Sequence, residues 1–295
     1  MVKLSIIVPT LNECRYLPIL LDSIKKQAYT DYEIIISDGS SEDNTVEVAK
    51  RYQCRIVVDK RKGPGYGRNQ GARIASGQYL LFLDADVFFP SDTFLEGLMS
   101  IAERKRLRLG TCLVEPYPPR PIDMVVNPIV NAGFLAAARI SPFAPGFFIF
   151  VSREIHEKIK GFDEKLFLAE DHDYAKRAKK HAPFRVITEL KIYYSTRRLD
   201  KEGRLSLYPK YVLATLYRAL MGEIDKPVFN YDFGNFEPPK ENYDEILRKI
   251  SGKKYVDGAI VRKIVRRLKE MRTAMNGITG LMRERGRNKE AGKKD

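Results

Sequence analysis

The chain has 295 residues, 44% of them hydrophobic and 31% charged, with a formal net charge of +14. This is a globular composition, long enough for one large core or one large domain with an appendage, and it excludes a disordered or fibrous chain. Cys14, Cys54 and Cys112 are isolated and odd in number, which excludes a disulfide framework or a Cys-x-x-Cys metal site and points to a reducing compartment, the cytoplasm.

The first half alternates in period. Residues 3–8 predict a strand, and because the apolar run 4–8 is only strand-length, no signal peptide is expected. Residues 15–26 predict a helix with Leu17, Leu20, Leu21 and Ile24 on one face. A strand follows at 33–37, then a helix at 44–52 with Ser40, Ser41 and Asp43 as capping candidates. Next come a strand at 55–58 and a helix at 67–76 that Gly77 ends. The glycine-rich segment 63–67 is not a dinucleotide fingerprint, because Arg68 stands where the third glycine belongs; it reads as a mobile loop. Residues 78–83 predict a strand, and 91–104 a helix capped by Ser91. Such alternation with short connections predicts an α/β fold: a mostly parallel sheet flanked by helices, with ligands beyond the carboxyl ends of the strands.

The alternation stops after a strand at 111–115. Pro116, Pro118, Pro119 and Pro121 make a stiff connection to an apolar helix from about residue 122. Arg139 is the only charge in 124–151, yet Asn127, Pro128, Asn131, Pro142 and Pro145 interrupt the run, so a membrane-spanning helix is not expected. Strands at 146–151, 184–187 and 191–195 and helices at 153–160 and 171–181 complete this part. Beyond it, 207–221 predicts an amphipathic helix, 228–239 a loop rich in Tyr, Phe and Pro, and 256–275 a second, basic helix. Residues 246–295 hold 16 Lys or Arg against 5 Asp or Glu, so the basicity belongs to the tail. A solvated packed helix and an interfacial membrane helix both fit that charge. A nucleic-acid partner is not expected, because no recognised module accompanies it.

The apolar run 79–83 leads straight into Asp84-Ala85-Asp86. Carboxylates at the edge of a core need a partner. Mg²⁺ or Mn²⁺ takes one or two carboxylates together with substrate phosphates, which makes a divalent cation the partner to test; a turn that merely ends a strand is the other reading. Strand alternation would aim both side chains the same way. Pro9 to Glu13 and Asp38 fall at the ends of the first and second predicted strands, the same edge of the sheet.

Four segments occur in order: "SIIVPTLNE" (5–13), "EIIISDGSSEDNT" (33–45), "GRNQGARIASGQYLLFLDAD" (67–86) and "GFDEKLFLAEDHDYAKRA" (161–178). Together they resemble the family 2 glycosyltransferases, inverting nucleotide-sugar transferases of the GT-A fold, over roughly residues 3–200. The resemblance implies that Pro9, Thr10 and Glu13 hold the nucleoside and that Asp38 reads its base. It implies that Arg68 and Asn69, with Asp84, Ala85 and Asp86, bind the donor. Asp84 and Asp86 would hold the metal, with Asp86 as direct ligand, and Asp171 would be the general base. Glu170 beside it, and Arg197 and Arg198 after the last strand, are weaker candidates for acceptor or diphosphate contact. Each residue also has a plainer reading: Asp38 as a turn former, Arg68 as an ion pair, Glu170 and Asp173 as favourable charge at a helix N-terminus, Arg197 and Arg198 as a solvated loop.

The implied organisation is a nucleotide-sugar-binding subdomain (1–115) and an acceptor and catalytic subdomain (116–204), then a basic helical extension (205–285) and a disordered tail (286–295). The implied partners are a UDP- or GDP-sugar and a glycan or lipid-linked acceptor. A peripheral contact with the inner face of the cell membrane is a further expectation. A polyprenyl-phosphate acceptor is the alternative, and a catalytically inactive nucleotide- or nucleic-acid-binding protein is the alternative of another class.

Overall fold

The computed structural model describes residues 2–60, 63–140, 145–166, 169–203 and 241–251. The helices expected at 207–221 and 256–275, the loop at 228–239 and the tail at 286–295 lie outside them.

Strands β1 (Leu4–Thr10), β2 (Tyr32–Asp38), β3 (Arg55–Val58) and β4 (Tyr79–Phe82) pair in parallel, β1 lying between β2 and β4 with β3 outside β2. Beyond β4 come β7 (Ile149–Ser152), antiparallel to it, then β6 (Leu109–Tyr117), β8 (Arg185–Ser195) and the two-residue β5 (Val87–Phe88). The result is one eight-stranded sheet, β3-β2-β1-β4-β7-β6-β8-β5, parallel in its first four strands and again between β6 and β8.

Period-2 alternation divides these apolar strands between two cores. Ile6, Val8, Ile34, Ile36, Leu81 and Leu83 face one layer, while Ile7, Ile35, Leu80 and Phe82 face the other. Helices α1 (Leu17–Lys25), α2 (Thr45–Arg51) and α4 (Phe94–Arg104) cover the first face with residues such as Leu20, Val48 and Leu98. The second is covered by α3 (Pro64–Ile74), α6 (Arg153–Lys158) and α7 (Glu170–Ala178), through Ala72, Ile155, Tyr174 and Ala178. Burying each large apolar side chain stabilises by roughly 1.5–3 kcal/mol, so these two layers dominate the fold.

Three elements differ from the sequence expectation. The segment 63–67 is not a loop: α3 starts at Pro64, whose fixed φ suits a first helical position, and takes in Gly65 and Gly67. Gly71, further along the same helix, lets it lie directly on β1, since a Cβ there would stand 2.4 Å from Ile7 Cγ2. The strands expected at 184–187 and 191–195 are one strand, β8, whose register against β6 jumps from Ile187 to Lys191. The run expected to be broken at Asn127 and Pro128 is a continuous helix, α5 (Pro121–Ile140), with Pro128 inside it.

Helix α5 is inverted. Three of its buried positions are polar, Asp123, Asn127 and Asn131, four residues apart, beside the buried Ala132 and Phe134. Asn131 accepts from Val114 N and donates to Val114 O (3.0 and 2.9 Å), and Asn127 donates to the same carbonyl and to Glu115 (2.8 and 3.1 Å). Ile122, Met124, Val125 and Ile129 face outward. Among the described residues this helix is long and apolar enough to cross a membrane, with a mean hydropathy of 1.3 over Pro121–Ala138. Its polar face is instead pinned to β6.

A short helix α8 (Arg197–Glu202) follows β8. The last described helix, α9 (Tyr243–Ser251), docks through Tyr243 and Ile246 on an aromatic cluster with Phe88, Tyr117 and Tyr193. Tyr243 also donates to the Phe89 carbonyl at 2.8 Å.

Candidate active site

The parallel strands end at one edge, and the site is built there. Thr10 and Asp38 are opposite one another at the tips of β1 and β2. The buried Asp38 carboxylate accepts from Thr10 Oγ1 (2.8 Å), Ser41 N (2.7 Å) and Ser41 Oγ (2.6 Å). Asn12, in the left-handed region at φ 57°, donates its N–H to Ser41 Oγ and accepts from Glu42 N. The loops after the two strands are therefore stitched together, and Ser41, which the sequence marked only as a capping candidate, is one of the stitches. Pro9 lies under α3, close enough that a Cβ on Gly67 would stand 3.0 Å from its own.

Strand β4 ends at Phe82, so Asp84 and Asp86 stand on the turn between β4 and β5, where strand alternation no longer applies. They do not share a partner. Asp84 Oδ1 accepts from Arg68 Nη2 at 2.8 Å, whereas Asp86 Oδ2 accepts from Arg197 Nε at 2.8 Å.

Arg68 is the largest fully buried side chain among the described residues, 2% exposed. Besides Asp84 it donates to Glu170 Oε1 (2.6 Å) and to the Gly146 carbonyl (3.1 Å), and its cation lies 5.4 Å from the centre of the Phe162 ring. The N–H of the same Gly146 donates to Asp171 Oδ2 at 2.7 Å. Asp84 and Asp171, 87 residues apart in sequence, are thereby joined through one guanidinium and one glycine. A side chain at 146 is impossible without movement: its Cβ would stand 2.5 Å from Arg68 Nη2 and 3.3 Å from Asp171 Oδ2. Burial raises the pKa of Asp84 to about 6, the pull of Arg68 only partly opposing it and the charge of Asp86 adding to it. Glu170 is raised too, by burial and by Asp171.

Arg197 makes the second knot. Its Nη1 and Nη2 donate to Glu13 Oε2 and Oε1, each at 2.7 Å, while Nε holds Asp86. The guanidinium stacks on Tyr16, 4.3 Å from the ring centre. Burial lifts Glu13 to about 7, against the pull of Arg197 and with the push of Asp86 and Asp84. Ser195 N donates to the Asp86 carbonyl, which fixes the end of β8 beside the turn.

The remaining candidates fall elsewhere. Asn69 is a backbone clamp: its amide donates to Phe162 O (2.9 Å) and Glu164 (3.0 Å) and accepts from Phe162 N (2.8 Å). Arg198 pairs along its own helix with Glu202 at 3.6 Å. Sequence reasoning missed Gly146, Ser41 and Tyr16, none of which carries a charge to draw attention.

Residues 5–160, more than half of the chain, match the family model described as glycosyl transferase family 2. This chain belongs to that family. The sheet described above is the GT-A sheet of that family. Poly(ribitol-phosphate) β-N-acetylglucosaminyltransferase TarS of Staphylococcus aureus is 32% identical to it over 111 residues, 35% of this chain and 19% of that one. A PGL/p-HBAD biosynthesis glycosyltransferase of Mycobacterium bovis is 36% identical over 108 residues, 34% of this chain and 42% of that one. The chain spans less than half the length of the curated relatives it matches. In three dimensions, S. aureus TarS 1–349 in complex with UDP-GlcNAc superposes with a TM-score of 0.58 at 21% identity, covering 66% of this chain and 59% of that one. The mannosyltransferase PcManGT from Pyrobaculum calidifontis, in complex with GDP-Man and Mn²⁺, gives 0.55 at 21% identity, covering 72% and 64%.

The donor set fits a divalent metal ion. No group of three or more His, Cys, Asp or Glu converges as a metal cage among the described residues. Asp84 and Asp86 nonetheless offer two carboxylates on one turn, the set that suits a hard cation taking its other ligands from phosphate and water. Among the described residues, five carboxylates (Glu13, Asp84, Asp86, Glu170 and Asp171) gather around two guanidinium groups, Arg68 and Arg197.

Proposed function

We propose that this family 2 transferase moves a sugar, with inversion, from a nucleoside-diphosphate sugar to a hydroxyl acceptor. Asp171 is the general base, and Asp84 and Asp86 hold a divalent cation. The observation that carries the reading is the link from Asp84 through Arg68 and Gly146 to Asp171, which sets a candidate base beside a candidate metal turn. In support, TarS has been solved with UDP-GlcNAc and PcManGT with GDP-Man and Mn²⁺.

On this reading the Thr10–Asp38–Ser41 cluster receives the nucleoside. Asp171 accepts the proton as the acceptor oxygen bonds to the anomeric carbon, and the bond from that carbon to the diphosphate breaks with its electrons on the phosphate side. The cation, when bound, neutralises that charge. Arg68 keeps Asp84 in place rather than facing the diphosphate, because its side chain is 2% exposed and its Nη2 donors are taken by Asp84 and Gly146.

A base speaks for a hydroxyl acceptor: a polyprenyl phosphate, with a second pKa of about 6, is already ionised at neutral pH. The outward apolar residues of α5, Ile122, Val125 and Ile129, favour an acceptor carried on a lipid, met at a membrane surface. Asp171→Asn should leave donor binding intact by calorimetry and slow transfer by about 10²–10⁴-fold. Asp86→Ala should abolish the metal-dependent part of donor binding. Loss of donor affinity in the first variant, or its full retention in the second, would reassign these residues.

A further inference from the structure

The two arginines that neutralise the turn differ in how they are held. Arg68 lies mid-helix in α3 and is enclosed by three partners. Arg197 is the first residue of the six-residue helix that follows β8, 11% exposed and resting on the face of Tyr16. It grips one candidate metal ligand, Asp86, and a second carboxylate, Glu13, both of whose oxygens accept from it. Its single positive charge thus stands against two negative ones.

We infer that Arg197 is a built-in, exchangeable counter-ion: it occupies Asp86 and Glu13 while no metal is bound, and releases Asp86 when a divalent cation arrives together with a diphosphate that can take the guanidinium in exchange. This rests on the proposed function, because it takes Asp86 as a metal ligand. The exchange is asymmetric. A bare cation must displace Arg197 while offering its guanidinium nothing. A cation with a nucleoside diphosphate supplies a new anion, for which a planar guanidinium is well suited. Cation and nucleotide should therefore bind synergistically, with Arg197 as a source of the coupling.

The residues around Arg197 permit such a release. Thr196, immediately before Arg197, is anchored by its N–H to Tyr117 O and by its hydroxyl to Pro118 O, so the backbone can stay while the side chain turns. Glu13 carries its own anchor: its N–H donates to Thr45 Oγ1 at 2.8 Å, and its carbonyl accepts from Leu17 N.

The test is titration calorimetry of Mn²⁺ into the full chain, with and without saturating UDP or GDP, for wild type, Arg197→Gln and Glu13→Gln, with thermal melts to verify folding. Glu13→Gln is included because it loosens the grip on Arg197 without leaving a buried carboxylate unpaired. Wild type should bind Mn²⁺ at least about tenfold more tightly with the nucleotide than without it. Each variant should bind Mn²⁺ alone about tenfold more tightly than wild type, the scale of one charge-assisted contact removed, and gain less from the nucleotide. Folded variants that bind Mn²⁺ no more tightly than wild type would overturn the inference while leaving the metal site standing. Weaker binding in Glu13→Gln would overturn it as well, by making Glu13 a ligand. Wild type that binds no Mn²⁺ in either condition would instead overturn the reading of Asp84 and Asp86 on which the inference rests.

Discussion

The Asp84-Ala85-Asp86 turn is held from two sides by the same chemistry, a guanidinium on carboxylates, in two different settings. The Arg68 knot is interior: a side chain 2% exposed, backed by the stacked rings of Phe162 and Tyr174, 4.0 Å between centres. The Arg197 knot is also enclosed, Arg197 11% and Glu13 10% exposed, but it hangs on a six-residue helix with one aromatic face beneath it. Contact distances barely distinguish them, 2.6–2.8 Å for the ion pairs of one and 2.7–2.8 Å for those of the other. The difference lies in what carries the pairs. An ion pair set in the middle of a packed helix is part of the fold, and one carried by the first residue of a six-residue helix is available for exchange.

Removing each arginine in turn would break or sharpen that contrast. Arg68→Gln leaves Asp84 and Glu170 without their shared cation inside the protein and should cost about 3–5 kcal/mol of stability. Arg197→Gln should cost roughly 1–2 kcal/mol, because Glu13, already lifted to about 7, takes up a proton and water reaches Asp86. Denaturant melts of both variants decide it. Equal losses would mean that Arg197 is as structural as Arg68 and that the comparison fails.

A smaller effect tests the interior knot from its other side. Gly146→Ala drives a methyl group into Arg68 Nη2, with no room to yield, and should cost about 1–3 kcal/mol with a fall in transfer rate. Gly133→Ala on α5 is the control, since nothing lies within 4 Å of its would-be Cβ. There the helix gains up to about 1 kcal/mol. If Gly146→Ala melts like wild type, the Arg68 knot has slack and Asp84 is less firmly held than its distances suggest.

How much of this was legible in the sequence follows from the range of each signal. Hydrophobic period is local, so β1, β2, β4 and their helices could be read, as could the edge where Thr10, Asp38 and Asp84 meet. The ordered motifs were legible for the same reason, being local. The pairing of Arg68 with Glu170, across 102 positions, was not legible, because nothing local distinguishes a buried arginine from a solvated one. Gly65 and Gly67 read as loop formers, since only the packing against Pro9 and Glu170 shows why a helix there lacks side chains. Helix α5 misled through its asparagines: they look like breakers, yet each finds its partner on β6. Arg197 was recognised only by its place after β8; that it faces Glu13, 184 positions away, is a fact of topology.

A dependence on pH is the last test, and the buried histidine and the buried carboxylates contribute to it with opposite signs. Behind the interior knot, His156 Nδ1 shares a hydrogen bond with the Tyr174 hydroxyl at 2.9 Å. Burial, with Arg153 and Arg177 nearby, lowers its pKa from 6.5 to about 4. Between those values the unfolded chain binds a proton that the folded chain refuses, so stability falls as pH drops from about 6.5 toward 4, and above 6.5 the group contributes nothing. At pH 5.5 the loss is about 1.4 kcal/mol, one pH unit of a single proton. Glu13 and Asp84 run the other way. Their folded pKa values are raised, so the folded chain holds the extra proton, and stability rises as pH falls through about 7 and 6 toward 4.5. Melting curves of wild type alone would show these contributions partly cancelling. The difference between wild type and His156→Gln isolates the interior one: flat above pH 6.5, then closing in the variant's favour by about 1.4 kcal/mol per unit on acidification. A constant difference across that range would mean that His156 takes up its proton in the folded protein as readily as in the unfolded chain, and that the backing of the Arg68 knot admits water.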